Sequence, residues 1–253
     1  NGALDAITSG GRNIGIGSTA GSAMTNNSYN TVIGYGAFAT ANTGEESNTV
    51  IGYGAGADID HADSDGNVII GQSAGSGGGA AMASCVVIGQ YAMNSTAANA
   101  QTGTIAIGKD ALTALTTGAG NVAVGYQAAD ALTTGQKNVA IGYEALSAGT
   151  GNSYNIVIGY EAMLVADGAD DNIAIGYRAG KGLATGDNNT IIGYGAGQTT
   201  EDVDKAVIIG QGAGAGNLTS AADGTICIGA SAGAALTSGE RNMAVGYQAL
   251  AAN

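Results

Sequence analysis

The chain has no proline, no tryptophan, one phenylalanine, one histidine and two cysteines among its 253 residues. Each scarcity closes a route. With almost no large aromatic rings to fill it, a core must be built from Ile, Val, Leu and Ala, which suits thin stacked layers. The lone histidine, His61, lies among carboxylates in a segment of variable length, so a His-activated nucleophile has no support, and no enzymatic activity is expected. Seven Lys plus Arg against twenty Asp plus Glu give a net charge of -13. That balance disfavours nucleic acid and anionic lipid, whose phosphates are recognised by basic side chains. No apolar run approaches the ~18 residues of a membrane span, and no charged-then-apolar leader is present, so no membrane insertion is expected.

Glycine, by contrast, is abundant and ordered. Fourteen glycines recur every 17 to 19 residues: Gly17, Gly34, Gly52, Gly71, Gly89, Gly108, Gly125, Gly142, Gly159, Gly176, Gly193, Gly210, Gly229 and Gly246. Each follows Ile or Val, and each is followed three residues later by Ala, from Ala20 to Ala249. A period this short accommodates one solenoid coil per repeat, not a helix pair or a propeller blade. With the anchor glycine as position 0, residues −3 to −1 read as a short strand, such as Val139-Ala140-Ile141 or Ile156-Val157-Ile158. The expected fold is all-β: a parallel β-solenoid, or β-roll, of about fourteen 17–19-residue coils forming a single array over 1–253.

Within the strand, position −1 is always Ile or Val and reads as the core column, with −3 on the same face. Position −2 then points away from the core, yet apart from Gly15 it is apolar, as at Val32, Val157, Ile191 and Cys227. A strand apolar on both faces is covered on both, so the −2 column is expected to be an interface. The fixed Gly at 0 and Ala at +3 point to corners where backbone approaches backbone. Length varies between +5 and −5, where His61 and the segments 76–79, 94–101 and 217–222 read as outward loops.

Two columns are candidates for more than packing. Asn fills position −4 in ten coils, including the consecutive Asn121, Asn138, Asn155, Asn172 and Asn189. Its amide can donate and accept along the stack, so these form a structural ladder at the turn. Tyr follows the anchor glycine in eight coils, and Tyr126, Tyr143, Tyr160, Tyr177 and Tyr194 are consecutive. At ~4.8 Å per rung they form an aromatic ladder, either a sugar-binding platform or a stack that stabilises the solenoid.

The acidic stretches Asp58 to Gly66, Asp167 to Asp171 and Glu201 to Asp204 fit solvated turns, with a weak hard-cation site as the alternative. The first lacks the Gly and closing Glu of an EF-hand. No metal ligand set and no cofactor are assigned. Cys85 and Cys227 lie eight coils apart, on the order of 38 Å at ~4.8 Å per coil, so they read as small buried hydrophobes and not as a staple.

The runs Asn-Val-Ala-Val-Gly-Tyr-Gln-Ala-Ala at 121–129 and Asn-Val-Ala-Ile-Gly-Tyr-Glu-Ala-Leu at 138–146 resemble the repeats of trimeric autotransporter adhesin heads and of phage tail fibres. The resemblance covers essentially the whole chain, although the adhesin-head coil is shorter and Tyr after the Gly is not its usual choice. It implies left-handed β-rolls, three chains side by side, and a segment of a longer fibre on a virion or bacterial cell surface. The implied function is structural and adhesive, with a cell-surface glycan or protein as receptor. A filament or sheath subunit assembling by end-to-end stacking of solenoids is the alternative. An ice-binding solenoid would want a consistently Thr outward column, and none is present.

Overall fold

The computed structural model describes residues 2–42, 44–78, 80–96 and 100–251. It is a parallel β-solenoid of about 13 turns with ~17 residues per turn. Two compact units, Asn1–Gln127 and Ala128–Asn253, divide the array. In the first, the three-residue strands Ile14–Ile16, Thr31–Ile33, Thr49–Ile51, Val68–Ile70, Val86–Ile88, Ile105–Ile107 and Val122–Val124 lie side by side in chain order. The second repeats the arrangement with Val139–Ile141, Ile156–Ile158, Ile173–Ile175, Thr190–Ile192, Val207–Ile209, Ile226–Ile228 and Met243–Val245. Equivalent positions pair in register, as Val157 does with Ala174 and Ala174 with Ile191.

The expected orientation of the strand is reversed. From Val32 to Ala244 the middle residue, −2, is buried, whereas the flanking −3 and −1 residues are part-exposed or exposed, as at Ile141 (36%), Ile156 (40%) and Met243 (68%). The uniform Ile and Val of the −1 column therefore face outward, and the more variable −2 column faces the core. The reason is shape. A coil this thin shares its interior among few side chains, so core residues vary in compensation with one another. The outward face has only to be β-branched to suit a parallel strand.

The compensating partner lies at +4, where Phe38, Met93, Leu112, Leu146 and Met163 are fully buried. Coils with Ile at −2, namely Ile69, Ile191 and Ile208, have Gly75, Gly197 and Gly214 at +4. Those with Ala106 or Ala140 at −2 have Leu112 or Leu146 instead. The invariant +3 Ala is buried in every coil from Ala20 to Ala232.

Backbone conformation explains the rest of the repeat. The anchor glycines take φ values such as 138° at Gly142 and 144° at Gly159, which side chains disfavour. A Cβ on Gly142 would stand 2.3 Å from the carbonyl oxygen of Gly159 in the next coil. Positions +2 and +4 are left-handed even where the residue is not glycine, as at Glu161 (φ 51°) and Met163 (φ 44°). That conformation costs roughly 1–2 kcal/mol per residue. It is offset because it aims the two N–H groups in opposite directions along the stack: Glu161 donates to the Tyr143 carbonyl at 2.9 Å and Met163 to that of Ala179 at 3.0 Å.

The longer coils are not merely outward loops. Met82–Ala83 pairs in parallel with Gln101–Thr102, and both Met82 and Gln101 are buried. In 217–222, Leu218 and Ala222 are buried and Ser220–Ala222 forms a 3-10 turn. Inserted residues thus return apolar groups to the core. Gly79 and residues 97–99 of the other two insertions lie outside the described residues. Among the described residues no helix is long and apolar enough to cross a membrane.

Candidate functional site: the side-chain ladders

Each column of the repeat becomes a ladder, because coils in register place like residues one above another. In the asparagine column of the second unit, the side-chain carbonyl accepts from the coil above while the amide reaches the neighbouring turn. Asn138 Oδ1 accepts the Asn155 backbone N–H at 3.0 Å, Asn155 that of Asn172 at 2.9 Å, Asn172 that of Asn189 at 2.9 Å, and Asn189 that of Ala206 at 2.9 Å. Their Nδ2 groups donate to the carbonyls of Asn152, Ala169, Gly186 and Val203 at 2.7 to 2.9 Å. In the first unit Asn121 donates to the Gly118 carbonyl at 3.2 Å. All five are buried. An asparagine is suited to this corner because one side chain must both donate and accept.

The tyrosine column runs along the corner beyond the strand. In the second unit Tyr143, Tyr160, Tyr177 and Tyr194 stack continuously, with centroid separations of 5.0, 5.4 and 4.8 Å and interplanar angles of 9° to 11°. In the first unit Lys109 Nζ stands 5.4 Å from the ring centre of Tyr126. Tyr35 and Tyr53 also stack there, at 5.4 Å and 12°. The rings lie about half exposed, 40% at Tyr143 and 60% at Tyr194. Beside the stack, Glu161 accepts hydrogen bonds from Lys181 and Arg178. The Lys181 ammonium, with Arg178 and the Tyr160 hydroxyl, holds the Glu161 carboxyl below the usual carboxylate range. The bond to Glu161 raises the Tyr160 hydroxyl above its ordinary value.

Sequence reasoning missed a third ladder, at position −6. Asp170 Oδ1 accepts the Ser153 N–H at 2.7 Å, Asp187 that of Asp170 at 2.7 Å, Asp204 that of Asp187 at 2.8 Å, and Asp223 that of Asp204 at 2.9 Å. The signal was present as Asp at a constant offset from four successive anchors. Charge drew attention to acidic stretches as clusters, whereas the structure uses their carboxylates one per rung to close turn N–H groups. Asp65 does the same for Glu46, and Asp167 accepts from both the N–H and the hydroxyl of Thr150, which lowers its pKa. Among the described residues no group of three or more His, Cys, Asp and Glu could hold a metal ion.

The remaining chemistry-bearing residues are dispersed. His61 is exposed, its Nδ1 accepting the Asp63 N–H at 3.2 Å. Cys85 and Cys227 are free and buried, and burial raises both thiols. Cys85 occupies an asparagine position and takes the Asn67 hydrogen bond through its own N–H. No protein-family model, no curated protein and no solved structure matches the chain.

Proposed function

We propose that this solenoid is a structural and adhesive segment of a trimeric surface fibre, of the kind suggested by its resemblance to adhesin-head and tail-fibre repeats. The observation that carries the reading is the strand face. Every −3 and −1 position is Ile, Val, Thr or Met, and these side chains face outward. In each unit that strip is roughly 30 Å long, from seven rungs at ~4.8 Å. Contiguous apolar strips of this extent on a protein surface mark interfaces, and three chains can bring three such strips together around one axis. The face that meets the neighbouring chains is therefore −3 and −1, not −2.

In this reading the ladders make a rigid shaft, the corners and inserted segments meet a receptor outside the cell, and the chain performs no catalysis. The dispersal of His61 and the cysteines and the use of carboxylates in turn closure support that view. Light scattering tests it. Wild-type protein should have the mass of three chains, and Ile158→Asp with Ile192→Asp, both outward, should yield folded single chains by burying unpaired carboxylates in the interface. A monomeric wild type would overturn the trimer, and open-ended polymers would favour end-to-end filaments.

A further inference from the structure

The tyrosine column of the second unit is interrupted. After Tyr194 the next two +1 positions are Gln211 and Ala230, and tyrosine returns only at Tyr247. The interruption leaves a groove of about 340 Å³ bordered by Tyr194 and Tyr247, with Gly195 and Gly212 among its lining residues and Gln198, Gln211 and Ser231 presenting polar groups. This volume is at the small end of ligand pockets, about 300–1,000 Å³.

The terminal ring differs from the others in the stack. Tyr177 covers one face of Tyr194 at 4.8 Å, but no tyrosine covers the other, and Tyr194 is 60% exposed against 41% for Tyr160 inside the stack. Tyr194 also borders the groove. Among the described residues the side chains of Gln198, Gln211 and Ser231 have no hydrogen-bond partner, so two amides and a hydroxyl, each able to donate and accept, are available beside it. No charged residue lines the groove.

We propose that this groove binds a neutral saccharide, one pyranose ring lying with its C–H face on Tyr194 and its hydroxyls bonded to Gln198, Gln211 and Ser231. An aromatic face flanked by uncharged donors and acceptors matches a sugar, which is apolar on its ring faces and polar at its edge. A nucleotide could also stack on the ring, but its phosphates would meet a chain of charge -13 with no basic side chain in the groove. The groove belongs to the corner and not to the strand face, so it stays accessible when the strips associate. The proposal rests on the adhesive part of the function above and gives it a ligand class.

The test is saturation-transfer NMR and titration of the intact chain with lactose, maltose and chitobiose, with a sialylated trisaccharide as the acidic comparison. At least one neutral sugar should bind, and Tyr194→Ala should weaken it tenfold or more. The decisive variant is Gln211→Tyr. It installs the residue that the preceding coils carry at this position, extends the stack over the open face of Tyr194, and should abolish binding with the solenoid intact. Absence of neutral-sugar binding to wild type, binding of the sialylated sugar alone, or unchanged binding by Gln211→Tyr overturns the proposal. Light scattering on the same samples separates the two ideas: a trimer that binds no sugar removes the site and keeps the fibre, and a sugar-binding monomer does the reverse.

Discussion

Ile191 and Gly197 share one slot in the core: a Cβ on Gly197 would stand 3.3 Å from Cγ2 and 3.4 Å from Cδ1 of Ile191. Elsewhere the slot is filled the other way round, by Ala140 with Leu146. Gly197→Leu should therefore destabilise the coil by about 1–3 kcal/mol through overpacking. Adding Ile191→Ala should recover the overpacking part and leave the roughly 1–2 kcal/mol of left-handed conformation, which Leu146 also carries at φ 56°. Thermal denaturation of the two single variants and the double variant measures the coupling. Additive effects would refute the shared slot.

The period, the strand and the solenoid were legible because they depend on fixed spacing, and spacing is a property of sequence. Which face of the strand meets the core was not. Constancy at −1 resembles burial, but the buried column is the one free to vary, as Ala140 with Leu146 and Ile208 with Gly214 show. That trade links positions six residues apart across a turn, where no strand or helix periodicity predicts contact. The asparagine and tyrosine columns were visible for the same reason as the glycines. The Asp170 to Asp223 column had the same constant offset, but its charge drew the eye to clusters, and its turn N–H partners, one coil away, have no mark in sequence. The groove beyond Tyr194 was equally hidden, since it arises from an interruption in a column and not from a motif.

Anchor glycines should be far less replaceable than turn glycines. Gly142→Ala places a Cβ 2.3 Å from the Gly159 carbonyl oxygen at a φ of 138°, whereas Gly168, with φ 84°, has nothing within 4 Å. The first change should cost about 3 kcal/mol or more from combined clash and strain, the second about 1–2 kcal/mol from conformation alone. Melting temperatures of the two variants compare them directly. Equal losses would show that crowding between coils does not fix the anchor.

The asparagine ladder predicts a loss at one rung and a gain at another. Asn172→Ala removes the acceptor of the buried Asn189 N–H at 2.9 Å and the donor to Gly186 at 2.9 Å. It should cost about 1–3 kcal/mol, the penalty for leaving a buried polar group unpaired. Ala206 occupies the same column, so Ala206→Asn should extend the ladder and raise the melting temperature. A destabilising Ala206→Asn would mean that this coil lacks the geometry of its neighbours.

Glu45 makes the stability of the first unit depend on pH. Its carboxylate is buried, Oε2 accepts from Asn27 Nδ2, and Oε1 has no partner among the described residues. Burial raises its pKa, its own backbone N–H and Asn27 oppose the shift, and Asp60 and Asp65 add to it. The folded chain thus holds the proton more tightly than the unfolded chain, where a Glu titrates near ~4.3. The resulting contribution is fully present below that pH and is lost as pH rises through the raised folded value. Asp167 and Glu161, whose pKa values are lowered, act in the opposite sense, so wild-type stability alone does not isolate Glu45. The difference between Glu45→Gln and wild type does. It should be small at pH 4 and grow toward pH 7 to about 1–3 kcal/mol in favour of glutamine, the cost of a buried and incompletely paired group. Urea denaturation of both proteins across that range measures it, and a difference that stays constant with pH would show that Glu45 is as readily ionised in the folded chain as in the unfolded one.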